Sequence, residues 1–180
     1  AFRRPLTTAE IASLTTLYTD IKASSDFNTA ATTVIAGILQ SPHFIYRSEL
    51  GDPAISTPEF SLTQHEIASA LSYLVTASMP DATLITEADN GRLNTPAAIE
   101  AQAARLLAST GAKRQFNNFA FRWLRLGGVD SLSKDTAVFP SFNPGLRTKL
   151  RAETETFISD VVFSGDGKLP TLFTANYSFL

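Results

Sequence analysis

The sequence predicts an all-α fold, a compact bundle of about seven helices with one long ordered loop. Three observations carry this. Apolar residues recur every three or four positions in segment after segment. Ser, Thr, Asp or Asn stands before most of those segments, where helix caps belong. Almost nothing alternates apolar and polar residues as a half-buried strand does. The 180 residues suit one domain, or one domain plus an arm. A chain of that size buries roughly 70% of its unfolded surface, enough for a core without a metal or disulfide staple.

The first helix opens at Thr7, where Thr7 and Glu10 form a capping box and Ile11, Leu14, Leu17 and Ile21 follow at helical spacing. A second spans about 26–40, with Ala30, Val34 and Ile38 on one stripe and Ala31, Ile35 and Leu39 beside it. Pro42 suits the first position of a new helical piece capped by Ser41, so a kink is expected there. Residues 51–61, with two prolines, read as a connecting loop. Thr63 and Glu66 then make another capping box, with Leu62 stapled toward Ile67 and a core stripe of Ile67, Leu71 and Leu74. Met79-Pro80-Asp81 ends that helix and supplies Asp81 as cap of a short one closing at Gly91. Thr95-Pro96 starts the next, whose buried face is Ile99, Ala103, Leu106 and Leu107.

From about 110 to 126 the chain is rich in aromatic rings, with apolar groups around most of the helix, so this helix is expected to be central. Phe116, Phe119 and Trp123 have helical spacing and read as core, not as an exposed platform for sugar. Gly127-Gly128 is expected to end the helix. Residues 129–142 form the long loop, with Phe139-Pro140 pinning it to the body. Asn143-Pro144 caps the last long helix, which runs to about 164 and ends in Gly165-Asp166-Gly167. The remainder, 169–180, carries Phe173, Tyr177 and Phe179 and stops on an apolar residue, so the parent protein is expected to continue. Leu6-Thr7-x-x-Glu10-Ile11-Ala12-Ser13 matches Leu62-Thr63-x-x-Glu66-Ile67-Ala68-Ser69. Two separately made capping boxes account for this without duplication.

Composition narrows the chemistry. A net charge of −2 gives no basic field for nucleic acid or anionic lipid. No apolar run reaches the ~20 residues of a membrane span. Ala1-Phe2-Arg3-Arg4-Pro5 lacks the apolar stretch of a signal peptide, as a mature or excised chain would. Cysteine is absent, so thiolate metal sites, thiol catalysis, disulfides and covalent haem attachment are excluded within this chain. Its two histidines, His43 and His65, stand in no His-x3-His or Glu-x-x-His arrangement, and no Gly-x-Ser-x-Gly elbow occurs.

Two groups of residues remain. Residues 41–51, SPHFIYRSELG, bring His43, Tyr46, Arg47 and Glu49 together just after the proline. A helical continuation would place His43, Arg47 and Leu50 on one face. They form either a ligand-binding corner or a network satisfying backbone groups where the helix breaks. The second group centres on Glu153, which falls in the apolar stripe of Leu146, Leu150, Phe157 and Val161. A carboxylate buried there needs a cation, so it is expected to pair with Arg122 or Arg47. Glu155, off that line, can pair with Arg151 one turn earlier. Glu153 is then an internal polar tie or, alternatively, a cleft acid or base acting with Arg47 and His43.

The order of motifs resembles a known family. The matching pieces are Ala1-Phe2-Arg3-Arg4-Pro5-Leu6-Thr7, then SPHFIYRSELG, Leu62-Thr63, Leu71-Ser72-Tyr73-Leu74 and Ser78-Met79-Pro80-Asp81. Gly91-Arg92-Leu93, Phe119 to Leu126, Phe139-Pro140 and Glu153-Thr154-Glu155 with Phe157 continue the series. Together they resemble the helical domains of unknown function in planctomycete-type, cytochrome-c-associated exported proteins. On this resemblance, residues 1–40 are the end of one such domain and 41–180 most of the next, truncated at its C-terminus. It implies a periplasmic or secreted location, other domains of the same parent as partners, and a c-type haem elsewhere in that parent, with no cofactor in this chain. The chain departs by having no Cys-x-x-Cys-His. The expected role is a non-catalytic helical framework or interaction module of a larger protein. One rival is an enzyme, acting on polysaccharide, with Glu153, Arg47 and His43 around a cleft. Another is redox-partner or non-covalent haem contact, with His43 as ligand.

Overall fold

The computed structural model describes residues 2–51 and 61–179. Most of the connecting loop expected at 51–61 therefore lies outside the described residues. Among those described, the secondary structure is entirely helical, as the periodicity predicts. The α-helices are α1 (Thr8–Ser24), α2 (Phe27–Gln40), α3 (Pro42–Ile45), α4 (Gln64–Thr76), α5 (Ala82–Asp89), α6 (Pro96–Leu107), α7 (Thr110–Trp123), α8 (Pro144–Ser159) and α9 (Leu169–Thr174). A 3-10 turn covers Leu126–Ser131, and α8 runs on into a π turn at Asp160–Ser164. None of these helices is long and apolar enough to cross a membrane. The chain divides into two compact units, Ala1–Leu74 with Ser78–Ala103, and Val75–Ala77 with Ala104–Leu180.

Helix starts lie where cap chemistry puts them. Thr7 and Glu10 exchange both bonds of a capping box at α1, and Asp26 accepts from the Thr29 amide at α2. Ser41 caps α3 with Pro42 in its first turn. Thr63 and Glu66 exchange the capping-box bonds at α4. Asp81, Thr95, Ser109 and Asn143 cap α5 to α8 in turn. Each satisfies an amide that has no partner inside its own helix. Gly91, at φ +66°, supplies the left-handed residue that closes α5.

In the first unit the buried side chains include Ala30, Ala68, Leu84, Ala88 and Leu93, with Ser69 and Ser72. The buried face of α4 is thus made of small residues. The stripe expected from Ile67, Leu71 and Leu74 is displaced, and Leu74 is 75% exposed. Gln64 fastens the start of α4 to residue 93, accepting from the Leu93 amide at 2.7 Å and donating to its carbonyl at 3.3 Å.

The second unit is built on Ala120, Phe121 and Ile158, with Phe116, Leu124, Leu126 and Leu172 packed against them. Here α7 corrects the expectation of a central helix. Lys113, Arg114, Gln115, Asn117 and Asn118 give it a broad polar face. Phe119 and Trp123 are 54% and 50% exposed, so the reading of Phe116, Phe119 and Trp123 as a common core holds only for Phe116, which packs on the core cluster. Gly127-Gly128 does not end α7 either. The helix stops at Trp123 and the chain turns at Arg125, φ +57°, between Leu124 and Leu126, which both pack on the core. The loop after Ser131 is held not by Phe139, which is half-exposed, but by Arg147 donating to the Leu132 carbonyl at 3.2 Å. Gly111 sits where a Cβ would meet Thr76 Cβ at 3.3 Å, so the start of α7 approaches the end of α4 closely.

Candidate functional site

The densest group of ionisable residues lies in the first unit, where the N-terminal segment, residues 43–51 and the start of α4 line a cleft of ≈ 220 Å³. Its construction starts at α3. That helix ends at Ile45, and Tyr46 is already extended, with ψ 147°. The helical continuation expected through Leu50 does not form. The physical reason is Arg3, whose guanidinium donates to the carbonyls of His43 at 2.9 Å, Tyr46 at 2.5 Å and Phe44 at 3.5 Å. Those acceptors would otherwise be left bare at the helix end. Arg3 holds φ +58° to reach them.

Glu66 organises the other wall. Besides capping α4, its carboxylate accepts from the amides of Leu50 at 2.6 Å and Gly51 at 3.1 Å, with Thr63 donating from its amide at 2.8 Å and its hydroxyl at 3.0 Å. Desolvation works to raise its pKa, but the donors from Thr63, Leu50 and Gly51 outweigh it and hold the carboxyl below the ordinary range. Glu10 is the parallel case. A two-pronged bond from Arg4, 2.8 Å on each oxygen, together with the Thr7 amide lowers it to about 2. His43 Nε2 lies 3.6 Å from Glu10, and its ring is 5.2 Å from that of Phe2. His65 Nε2 meets Asp89 at 2.8 Å. Arg47 lies over the Tyr73 ring at 5.2 Å, and Arg3 is 5.8 Å from the same ring.

His43 and Arg47 therefore do line one cleft, but His43 from α3 and Arg47 from the extended chain after it, not from one helix face. Tyr46 joins through its carbonyl, while Glu49 is exposed and does not line the cleft. Glu153 belongs to the second unit, on α8. It is half-buried, and among the described residues its only bond is the Phe179 amide at 3.5 Å. The expected ion pair with Arg122 or Arg47 is not formed: Arg122 is exposed on α7, and Arg47 lies over Tyr73. Arg151 does the tying instead. It donates to Glu155 at 2.9 Å, as the one-turn spacing predicts, and to Asp130, and it lies over the Phe121 ring at 4.7 Å. Sequence reasoning gave Arg151 only its one-turn partner. Its second partner comes from the turn at Leu126–Ser131, which no local pattern announces. Arg3 and Glu66 likewise have partners 40 and 16 residues away, beyond the reach of any local pattern.

No group of three or more His, Cys, Asp or Glu able to hold a metal ion occurs among the described residues. The absence of cysteine means that a c-type haem does not fit this chain as a covalent ligand.

Such an arrangement defines a class before it defines a chemistry: an all-helical chain, among its described residues, in which Arg3 and Glu66 bind its own backbone. The chain belongs to the family described as protein of unknown function (DUF1592), whose model matches residues 62–180. Residues 1–49 match a second model, also described as protein of unknown function (DUF1595). No curated protein matches the chain, and no solved structure does. Glu66, inside the first match, holds Leu50 and Gly51, while Arg47 in the second match lies over Tyr73 in the first.

Proposed function

We propose that this chain is a non-catalytic helical framework or interaction module of a larger exported, cytochrome-c-associated protein. Its partners are other domains of the same parent, and any c-type haem is carried there. The single observation supporting it is that Glu66, which lines the cleft, and Glu10, beside it, are both spent on structure. Glu66 accepts four hydrogen bonds, three of them from backbone amides, and Glu10 is locked to Arg4. A general acid needs a carboxyl protonated near neutrality, and here the shifts run the opposite way. Arg47, in the segment matched by one family model, lies over Tyr73 in the segment matched by the other, a join of the kind a framework requires. The net charge of −2 disfavours nucleic acid as a partner.

The test is a turnover assay on a panel of polysaccharides and aryl glycosides, using the full chain and His43→Ala and Glu66→Gln variants. A framework gives no turnover in any of them. Hydrolysis by the wild type that disappears in His43→Ala, with an unchanged circular dichroism spectrum, would establish the enzyme instead.

A further inference from the structure

We propose that the cleft between Arg3, Arg47 and Ser69 binds a small oxyanion, the carboxylate, sulfate or phosphate group of a larger ligand. Among the described residues that line it, the charges do not cancel: three arginines, Arg3, Arg4 and Arg47, stand against one carboxylate, Glu66. Arg4 is neutralised by Glu10 from outside the lining. Glu66 turns its oxygens to four donors of Leu50, Gly51 and Thr63. That leaves two guanidinium groups without a carboxylate among the described residues. Arg3 binds neutral carbonyls only, and Arg47 has the Tyr73 ring alone. Both cations lie against that one ring. Two like charges held together beside a concave surface favour an anion between or before them.

The cleft wall also carries serine side chains. Ser69 is 6% exposed and borders the cleft. Ser48 lines the same cleft with a further hydroxyl. The cleft volume of ≈ 220 Å³ is below the ~300 Å³ at which drug-sized sites begin, which suits one anionic group and not a whole oligomer. Arg47 presents the planar fork that matches two oxygens at once.

The experiment titrates the full chain with sodium sulfate and, separately, sodium acetate, replacing sodium chloride so that ionic strength stays constant. Amide chemical shifts of Ser48, Gly51 and Ser69 report binding. Saturable shifts with either anion support the site. Sulfate alone identifies a tetrahedral group as the ligand, and acetate alone a planar carboxylate. Arg47→Gln is expected to weaken binding roughly tenfold or more, since it removes a charged two-point contact. Ser69→Ala is expected to weaken it by a smaller factor. Non-saturating shifts with both anions, or unchanged affinity in a folded Arg47→Gln variant, overturns the proposal. Should Arg47→Gln fail to fold, unchanged affinity in Ser69→Ala overturns it alone.

Discussion

The Glu66 carboxylate accepts a hydrogen bond from the Leu50 amide at 2.6 Å, joining the cap of α4 to chain sixteen residues upstream. One side chain thereby ends one segment and begins the next. Replacing it with glutamine keeps the shape but removes the charge and puts an NH2 where an acceptor is needed. Glu66→Gln should cost about 1–3 kcal/mol, the range for losing bonds to a charged acceptor. Urea unfolding measures this, and faster amide exchange at Leu50 and Gly51 locates it. A change confined to a few tenths of a kcal/mol, with exchange unaltered, would show that the tie contributes nothing.

The same carboxyl sets a pH dependence. Its folded pKa is depressed, so its stabilisation is complete above the ordinary carboxylate range and is lost as pH falls through the lowered value. Glu10 follows the same sign, retaining its charge until about pH 2. Wild type and Glu66→Gln should therefore differ most near neutral pH and converge in acid. A gap that widens on acidification contradicts the assignment.

Arg151 yields a test by contrast. It binds Glu155 and Asp130 and lies over Phe121, which belongs to the core of the second unit. Arg122, on the exposed face of α7, makes no ion pair among the described residues. Arg151→Met should destabilise by about 1–2 kcal/mol, combining a partly screened ion network with a cation over a buried ring. Arg151→Lys should recover only part of this, because an ammonium lacks the flat fork. Arg122→Ala should stay within about 0.5 kcal/mol, as exposed substitutions do. Equal losses at the two positions would contradict this division.

These residues show what the sequence can and cannot reveal. Helix existence and starts were legible, because a cap and its amide lie within three residues of each other. The Thr7, Asp26, Ser41, Asp81 and Asn143 caps all form where local chemistry puts them. The clustering of His43 and Arg47 was legible from proximity alone. Burial was less so. Reading the largest hydrophobes as the core misplaced α4, which buries Ala68, Ser69 and Ser72, and misjudged α7, where Phe119 and Trp123 face outward. Which cation meets which carboxylate was legible only within one turn, as for Arg151 and Glu155. The second partner of Arg151, Asp130, comes from a turn 21 residues upstream and was not.

Arg47 distinguishes a structural residue from a binding one. It is exposed, and among the described residues it makes a cation–ring contact with Tyr73 and no ion pair. Arg47→Met should therefore lower stability by less than about 1 kcal/mol, the size of an exposed cation–ring contact. Arg3→Met removes bonds to three carbonyls and should cost more, with fraying of α3 visible as faster exchange at Phe44, Ile45 and Tyr46. If Arg47→Met were the more damaging of the two, the cleft would be held by Arg47 and not by Arg3.

Trp123 is the one tryptophan of the chain, so its fluorescence reports α7 directly. Its ring stacks on Phe119 at 6.0 Å and 12°, and meets Phe173 edge-on at 6.4 Å. These rings form a half-exposed ladder beside a core made by Phe121 on the opposite side of the helix. Acrylamide should quench the native protein to a substantial fraction of its effect on the unfolded chain, because the indole is open to solvent. Phe121→Ala should cost about 3–5 kcal/mol, as a fully buried aromatic does. Trp123→Ala gives up only partial burial, and at ~25 cal/mol per Å² of apolar surface should cost less than half as much. Weak quenching with a larger loss at Trp123 than at Phe121 would mean that the ladder is covered in solution and that the core lies on the other face of α7.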